Sequence, residues 1–220
     1  MSTQTSTVQT SNADRTVPTR RVAFEDTLRE VPKHFAADGD LIKSHLAVCM
    51  SSVFPDGEDF FVRSVRHYRD RITDPVLRRQ VAGFIGQESV HGREHRALNA
   101  RFDELGYHAK RMERDTRRFL EFREKVAPPI QNLAATAALE HFTATLAEQL
   151  MTRPELRAEF GDDDVRNVFL WHALEESEHK AVAFDVYRAA GGGYLRRAAI
   201  MLLTTAVFFA VQMLVHARLM

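Results

Sequence analysis

Apolar residues recur along this chain at intervals of three and four, and the strict apolar/polar alternation of a half-buried strand is missing. The pattern predicts helix almost throughout. Leu41 to Val53 reads as one apolar helix ending at Phe54-Pro55-Asp56-Gly57. A second starts there, with Asp56 as its cap and Glu58 in its first turn, and runs to about Arg71. Thr73-Asp74-Pro75 begins the third and longest helix, with Pro75 suited to the first helical position, and it ends near Gly106. A charged connecting helix over residues 110–126 stops at Pro128-Pro129. Next come a helix through Glu140 to about Thr152 and another from about Asp163 to Ala190. Gly191-Gly192-Gly193 separates these from an apolar C-terminal helix. The expected class is all-α, a four-helix bundle with extra N-terminal, connecting and C-terminal apolar helices.

The two ends differ from the middle. Residues 1–20 are rich in Ser and Thr with no apolar run, so they are no secretory signal and read as a disordered leader; the helical domain then covers 21–193 and the apolar helix 194–220. Ala198 to Ala217 is apolar over about the twenty residues that a bilayer crossing needs. Arg196, Arg197 and Arg218 flank it at headgroup spacing, while Gln212 and His216 interrupt it. Two readings stand: membrane contact, or burial in a core or a homodimer interface. The chain stops at Met220 without a polar tail, which points to a truncated form of a longer protein. The expected location is the cytoplasm, with peripheral or integral contact to the inner membrane through this helix.

Composition narrows the chemistry. A chain of 220 residues with 30 basic and 30 acidic side chains suits one domain and carries no nucleic-acid footprint. The basic clusters Arg63 to Arg71 and Lys110 to Arg123 read as solvated faces. One cysteine, Cys49, excludes a disulfide framework and a thiolate cage. Any metal must be held by nitrogen and oxygen, which suits iron, manganese or zinc.

Such ligands are present in a pattern. Two helices each carry Glu-x-x-His, in Glu88-Ser89-Val90-His91 and Glu176-Ser177-Glu178-His179, with His95 and His172 added. At about 100° per residue, Glu88, His91 and His95 share one helix face, as do His172, Glu176 and His179. Glu58 and Glu140 stand upstream at comparable distances. Glu140 lies in the small, apolar stretch Leu133 to Ala147, where a buried carboxylate needs a partner. Tandem helical pairs of this kind suit two metals about a pseudo-twofold axis. Glu88 and Glu176 are then bridging ligands, Glu58 and Glu140 terminal ones, and His91 and His179 bind one metal each. His172 has the stronger claim as a further ligand and His95 the weaker; His141 fits a supporting or core hydrogen bond.

Phe54-Pro55-Asp56-Gly57-Glu58, Gln87 to His95, Leu139-Glu140-His141 and Trp171 to Tyr187 resemble the bacterial "predicted metal-dependent hydrolase" family from about residue 30 onward. In spacing alone, Glu58, Glu88, His91, Glu140, His172, Glu176 and His179 are similar to the ligand series of the ferritin-like di-iron arylamine N-oxygenases. That similarity implies a ferritin-like bundle and seven protein ligands, His172 being the seventh, and leaves His95 without a role. Resemblance to the first family, whose members often extend further, implies a longer chain than this one.

A cage rich in carboxylates fits iron and O₂ activation, so O₂-dependent oxidation of a small apolar, aromatic or lipid-like substrate is the first expectation, with a partner that delivers electrons. Hydrolysis is the alternative: the same residues hold two divalent metals, and Glu175, Glu178 or His95 is the candidate general base. Iron storage and a structural polar core are the non-enzymatic rivals. Phe84, Phe142, Phe169 and Trp171 either line a substrate channel or, more commonly for such stripes, belong to the core.

Overall fold

The computed structural model describes residues 16–219. It is all-α, and the described residues contain no strand. The helices are α1 (Leu41–Arg66), α2 (Pro75–Glu104), α3 (Ala109–Val126), α4 (Pro129–Thr152), α5 (Pro154–Ala158), α6 (Asp163–His179), α7 (Val182–Ala189) and α8 (Tyr194–Leu219). Side-chain caps start three of them. Asp40 accepts from the amides of Ile42 and Lys43, Asp74 from Val76 ahead of Pro75, and Asp162 from Asp164 and Val165.

The helix through Glu58 ends at Arg66 rather than about Arg71, and two further departures from the expected boundaries shape the site. The segments expected to be separate on either side of Pro55 form the single helix α1, with Pro55 in its interior. Proline cannot donate to the carbonyl four residues back, here that of Ser51. The Asn99 side-chain amide on α2 donates to that carbonyl instead, at 3.0 Å, and the helix continues. Asp56 is therefore not a cap; it pairs with Arg117 of α3 at 2.8 Å. The helix expected over 163–190 breaks directly after His179, giving α6 and α7.

The interior is divided in three along the helix axes. One apolar cluster contains Phe60 and Val65 of α1, Val81 and Phe84 of α2, Leu133 of α4, and Val186 of α7. The other contains Val48 of α1, Leu98 and Phe102 of α2, and Val165 and Phe169 of α6. Burying one such Leu or Phe contributes about 1.5–3 kcal/mol. Between the clusters lies a polar layer formed by the middles of α1, α2, α4 and α6. The order of cluster residues also gives the directions: α1 and α6 run one way, α2 and α4 the other. The helix α3, which starts beside Tyr107 of one cluster and reaches Leu120 of the other, is the return crossover between α2 and α4.

Residues 1–15 of the expected leader lie outside the described residues. Residues 16–20, assigned to the same leader, instead run without helix across α2. Two glycines make room for them. A Cβ at Gly83 would stand 2.1 Å from the Val17 carbonyl oxygen, and one at Gly86 would stand 2.1 Å from Thr19 Oγ1. Farther on, the Phe24 amide donates to Glu94 at 2.8 Å and Arg93 donates to the Val22 carbonyl at 2.7 Å, fastening the segment to the same helix.

The helix α8 packs on α4, where Phe208 stacks on Phe142 with centroids 5.5 Å apart. Its other side leaves Leu195, Leu202, Phe209 and Met213 exposed. By length and composition, Tyr194–Val211 is apolar enough to cross a membrane.

Candidate metal centre

The polar layer collects Glu58 from α1, Glu88 and His91 from α2, Glu140 from α4, and His172, Glu176 and His179 from α6, all buried. Two groups have ligand atoms within 4.8 Å of one another: Glu58, His91 and His172, and Glu88, Glu176 and His179. Glu140 Oε2 lies 3.5 Å from His179 Nε2, beside the second group. Two carboxylates reach both groups. Glu176 directs Oε1 to His172 Nε2 at 2.9 Å and Oε2 to His179 Nε2 at 3.5 Å. Glu88 places Oε1 3.0 Å from His179 Nε2 and Oε2 3.7 Å from His91 Nδ1.

Polar atoms in this layer make no aligned hydrogen bond: both oxygens of Glu58, Glu88 and Glu140, with His91 Nδ1 and His179 Nε2, although Glu88 Oε1 and His179 Nε2 approach to 3.0 Å as a charge contact. Each unsatisfied buried group costs about 1–3 kcal/mol, and charged ones more. That so many converge on one place is the mark of a site built for cations. Four carboxylates balance the charge of two divalent ions, and carboxylate and imidazole are the donors such ions take, so the residues fit a pair of metals.

The histidines are oriented from behind. Gln87 donates to the Pro18 carbonyl at 3.0 Å and to Glu178 at 2.8 Å, so its own oxygen must accept from His179 Nδ1 at 2.8 Å, which leaves Nε2 toward the carboxylates. His91 turns Nε2 to Glu175 at 3.0 Å and Nδ1 inward. His172 is set by a longer relay. Asn99 uses its amide hydrogens on the Ser51 carbonyl and, at 2.8 Å, on Glu113, so its oxygen accepts from the Ser51 hydroxyl at 2.7 Å. Ser51 Oγ then accepts from His95 Nδ1 at 2.8 Å. His95 Nε2 accepts from His172 Nδ1 at 2.7 Å, and His172 Nε2 faces Glu176 and Glu58 with a lone pair. Outer hydrogen bonds of this kind fix the tautomer of metal-binding histidines.

Burial, and then repulsion from Glu88 and Glu176, hold the Glu58 carboxyl well above its usual range; burial and Glu176 do the same to Glu140. Burial is the largest single influence on Glu88 and Glu176 and pushes both upward, but the surrounding histidines, His179 foremost, together outweigh it and both end below the usual range. His179 is raised well above an ordinary imidazole, because Glu176 and Glu88 overcome its burial. Burial, reinforced by His172 and His91, drives His95 well below.

Glu175, Glu178 and His95, the candidate general bases, all stand one layer behind the donors. Arg20 donates to Glu175 at 3.0 Å and to both oxygens of Glu178 at 2.6 and 2.8 Å, while both nitrogens of His95 are engaged. His141 is exposed rather than held in the core. Of the four aromatic residues expected in a channel or a core, Phe84 and Phe169 are core, and Trp171 packs against Phe24 and His91. Only Phe142 lines the large cavity, of about 750 Å³, that reaches Glu58 and Glu176. Arg20, Ser51 and Asn99 received no role from sequence, though Asn99 continues the face of Glu88, His91 and His95 by one further turn. Gln87 stood inside a quoted motif without one.

No curated protein and no solved structure matches the chain. A family model described as a predicted metal-dependent hydrolase matches residues 18–220, a span holding every residue of the polar layer. By that match, the chain belongs to the predicted metal-dependent hydrolase family.

Proposed function

We propose that the protein is a binuclear metal-dependent hydrolase on a ferritin-like bundle, with Glu58, Glu88, His91, Glu140, His172, Glu176 and His179 holding two divalent ions. The carrying observation is the buried cluster of unpartnered carboxylate oxygens, toward which three independently oriented histidines present a nitrogen. Glu88 and Glu176, each reaching both histidine groups, would be shared between two ions, and Glu58 and Glu140 would each serve one. One crossover helix between two antiparallel pairs supports the ferritin-like arrangement.

When bound, the ions supply Lewis acidity that polarises a carbonyl and makes a water acidic near neutral pH. The chain does the rest. Glu58 lines the cavity and has two oxygens without protein partners, so one serves as ligand and the other accepts a proton from water entering there. Thr143 lines the same end and donates to Glu176 Oε2 at 2.6 Å, holding that carboxylate in place. Glu175, Glu178 and His95 position ligands.

The family description reverses the order expected from donor chemistry, in which iron and oxidation came first. The carboxylate-rich donor set still favours iron as the second reading, with an electron-delivering partner. One experiment separates the two: metal analysis, then loading with zinc, manganese or, anaerobically, ferrous iron, followed by ester and amide hydrolysis and O₂ uptake. Hydrolysis with redox-inert metals supports the proposal. O₂ uptake with iron and no hydrolysis with any metal overturns it.

A further inference from the structure

The cavity of about 750 Å³ lies among α1, α3, α4 and α8, within the size range of small-molecule sites. Its polarity is one-sided. Phe54, Phe61, Leu139, Phe142, Val207 and Phe208 form apolar wall, while Glu58 and Glu176, both nine-tenths buried or more, form the inner end. Exposed Arg111 and Asp115 of α3 mark its open side. The helix α8 supplies one wall through Val207 and Phe208 and turns exposed Leu202 and Phe209 outward. A site with carboxylates at one end and hydrocarbon along its length suits a molecule with one reactive polar end and an extended apolar tail.

We propose that this cavity is an acyl-chain pocket, and that the substrate is a single-chain, long-chain carboxylic ester whose carbonyl lies at Glu58 and Glu176. This rests on the hydrolase reading. The water oxygen bonds to the acyl carbon as the bond to the leaving alcohol's oxygen breaks with its electron pair. The proton accepted by Glu58 then passes to that alkoxide, so ester and water give acid and alcohol.

Gly57 provides the test. It lines the cavity beside Glu58, inside α1, and a Cβ there meets nothing within 4 Å. Gly57→Leu therefore starts from open space at Cβ, adds bulk on the cavity side of Glu58 and improves helix propensity, and an unchanged melting temperature checks that folding is retained. The zinc-loaded protein is titrated with a fluorescent, non-hydrolysable C18 polyene methyl ether, displaced by saturated alkyl methyl ethers from C4 to C16. Affinity should rise about fourfold per added methylene until the pocket is full. Gly57→Leu should lose more than about tenfold for the longest ethers while keeping its metal content and melting temperature.

Affinity independent of chain length, or equal long-chain binding by Gly57→Leu, overturns the pocket. Chain-length-dependent binding without hydrolysis of any ester keeps the pocket and overturns the hydrolase reading. Hydrolysis of short esters without chain-length dependence does the reverse. Ester dispersed below its micelle concentration is then compared with ester in neutral phosphatidylcholine vesicles. A rate raised only by vesicles assigns supply from a bilayer and equal rates assign supply from solution, both with the pocket intact.

Discussion

His95 Nε2 lies 2.7 Å from His172 Nδ1, and the proton between them belongs to His172 because Ser51 and Asn99 occupy the far side of His95. A histidine that could pass for a ligand by spacing is thereby turned into the part that aims another one.

His95→Ala removes the acceptor and frees the His172 ring. Metal affinity should fall about 10–100-fold at the position His172 serves, with the other ion retained. Chelator competition with metal counting checks this; two ions held as tightly as in the unaltered protein would remove the relay from the site.

Glu88 and Glu176 reach both histidine groups, so Glu88→Ala or Glu176→Ala should abolish binding of both ions. Glu178 lies behind, paired with Arg20, and Glu178→Ala should keep both. Metal content of the three purified variants decides, and equal content in all of them would sink the assignment.

Arg20 is 155 residues from Glu175 in sequence and donates to it at 3.0 Å. Arg20→Ala leaves Glu175, and through it His91, less firmly placed. The expected loss of metal affinity is about tenfold, without loss of either ion at saturation. Calorimetric titration measures it.

Metal-free and metal-loaded protein should respond to pH in opposite directions. Glu58, Glu140 and His179 have folded-state pKa values well above their unfolded ones. Without metal, the folded chain therefore binds more protons than the unfolded chain above pH about 6.5, and stability falls as pH rises from there. Metal displaces those protons, so at fixed metal concentration the loaded form gains stability over the same interval. Melting temperatures with and without chelator, and proton release on metal addition in weak buffer, test both signs.

Much of this was legible in the chain because it is periodic or local. Glu88, His91, His172, Glu176 and His179 announce themselves by helical spacing, and Asp74-Pro75 starts α2 as expected. The departures involve partners far apart in sequence. Pro55 looks like a helix end until Asn99, from another helix, serves the carbonyl it abandons. Arg20 sits in a stretch whose composition suggests disorder, yet Gly83 and Gly86 open a path for it on α2. Spacing likewise puts Glu175, Glu178 and His95 near the donors but does not show that Arg20, Gln87 and Ser51 already occupy them.

The polar layer also bears on cooperativity. Because it separates two apolar clusters, hydrophobic contact alone does not join the halves of the interior, and communication between them falls to continuous helices and whatever fills the layer. A filled centre acts as a rivet at mid-height. Stripped of metal, the bundle should open first around Glu88 and Glu176, with amide hydrogens there exchanging ahead of those near Phe60 or Phe102.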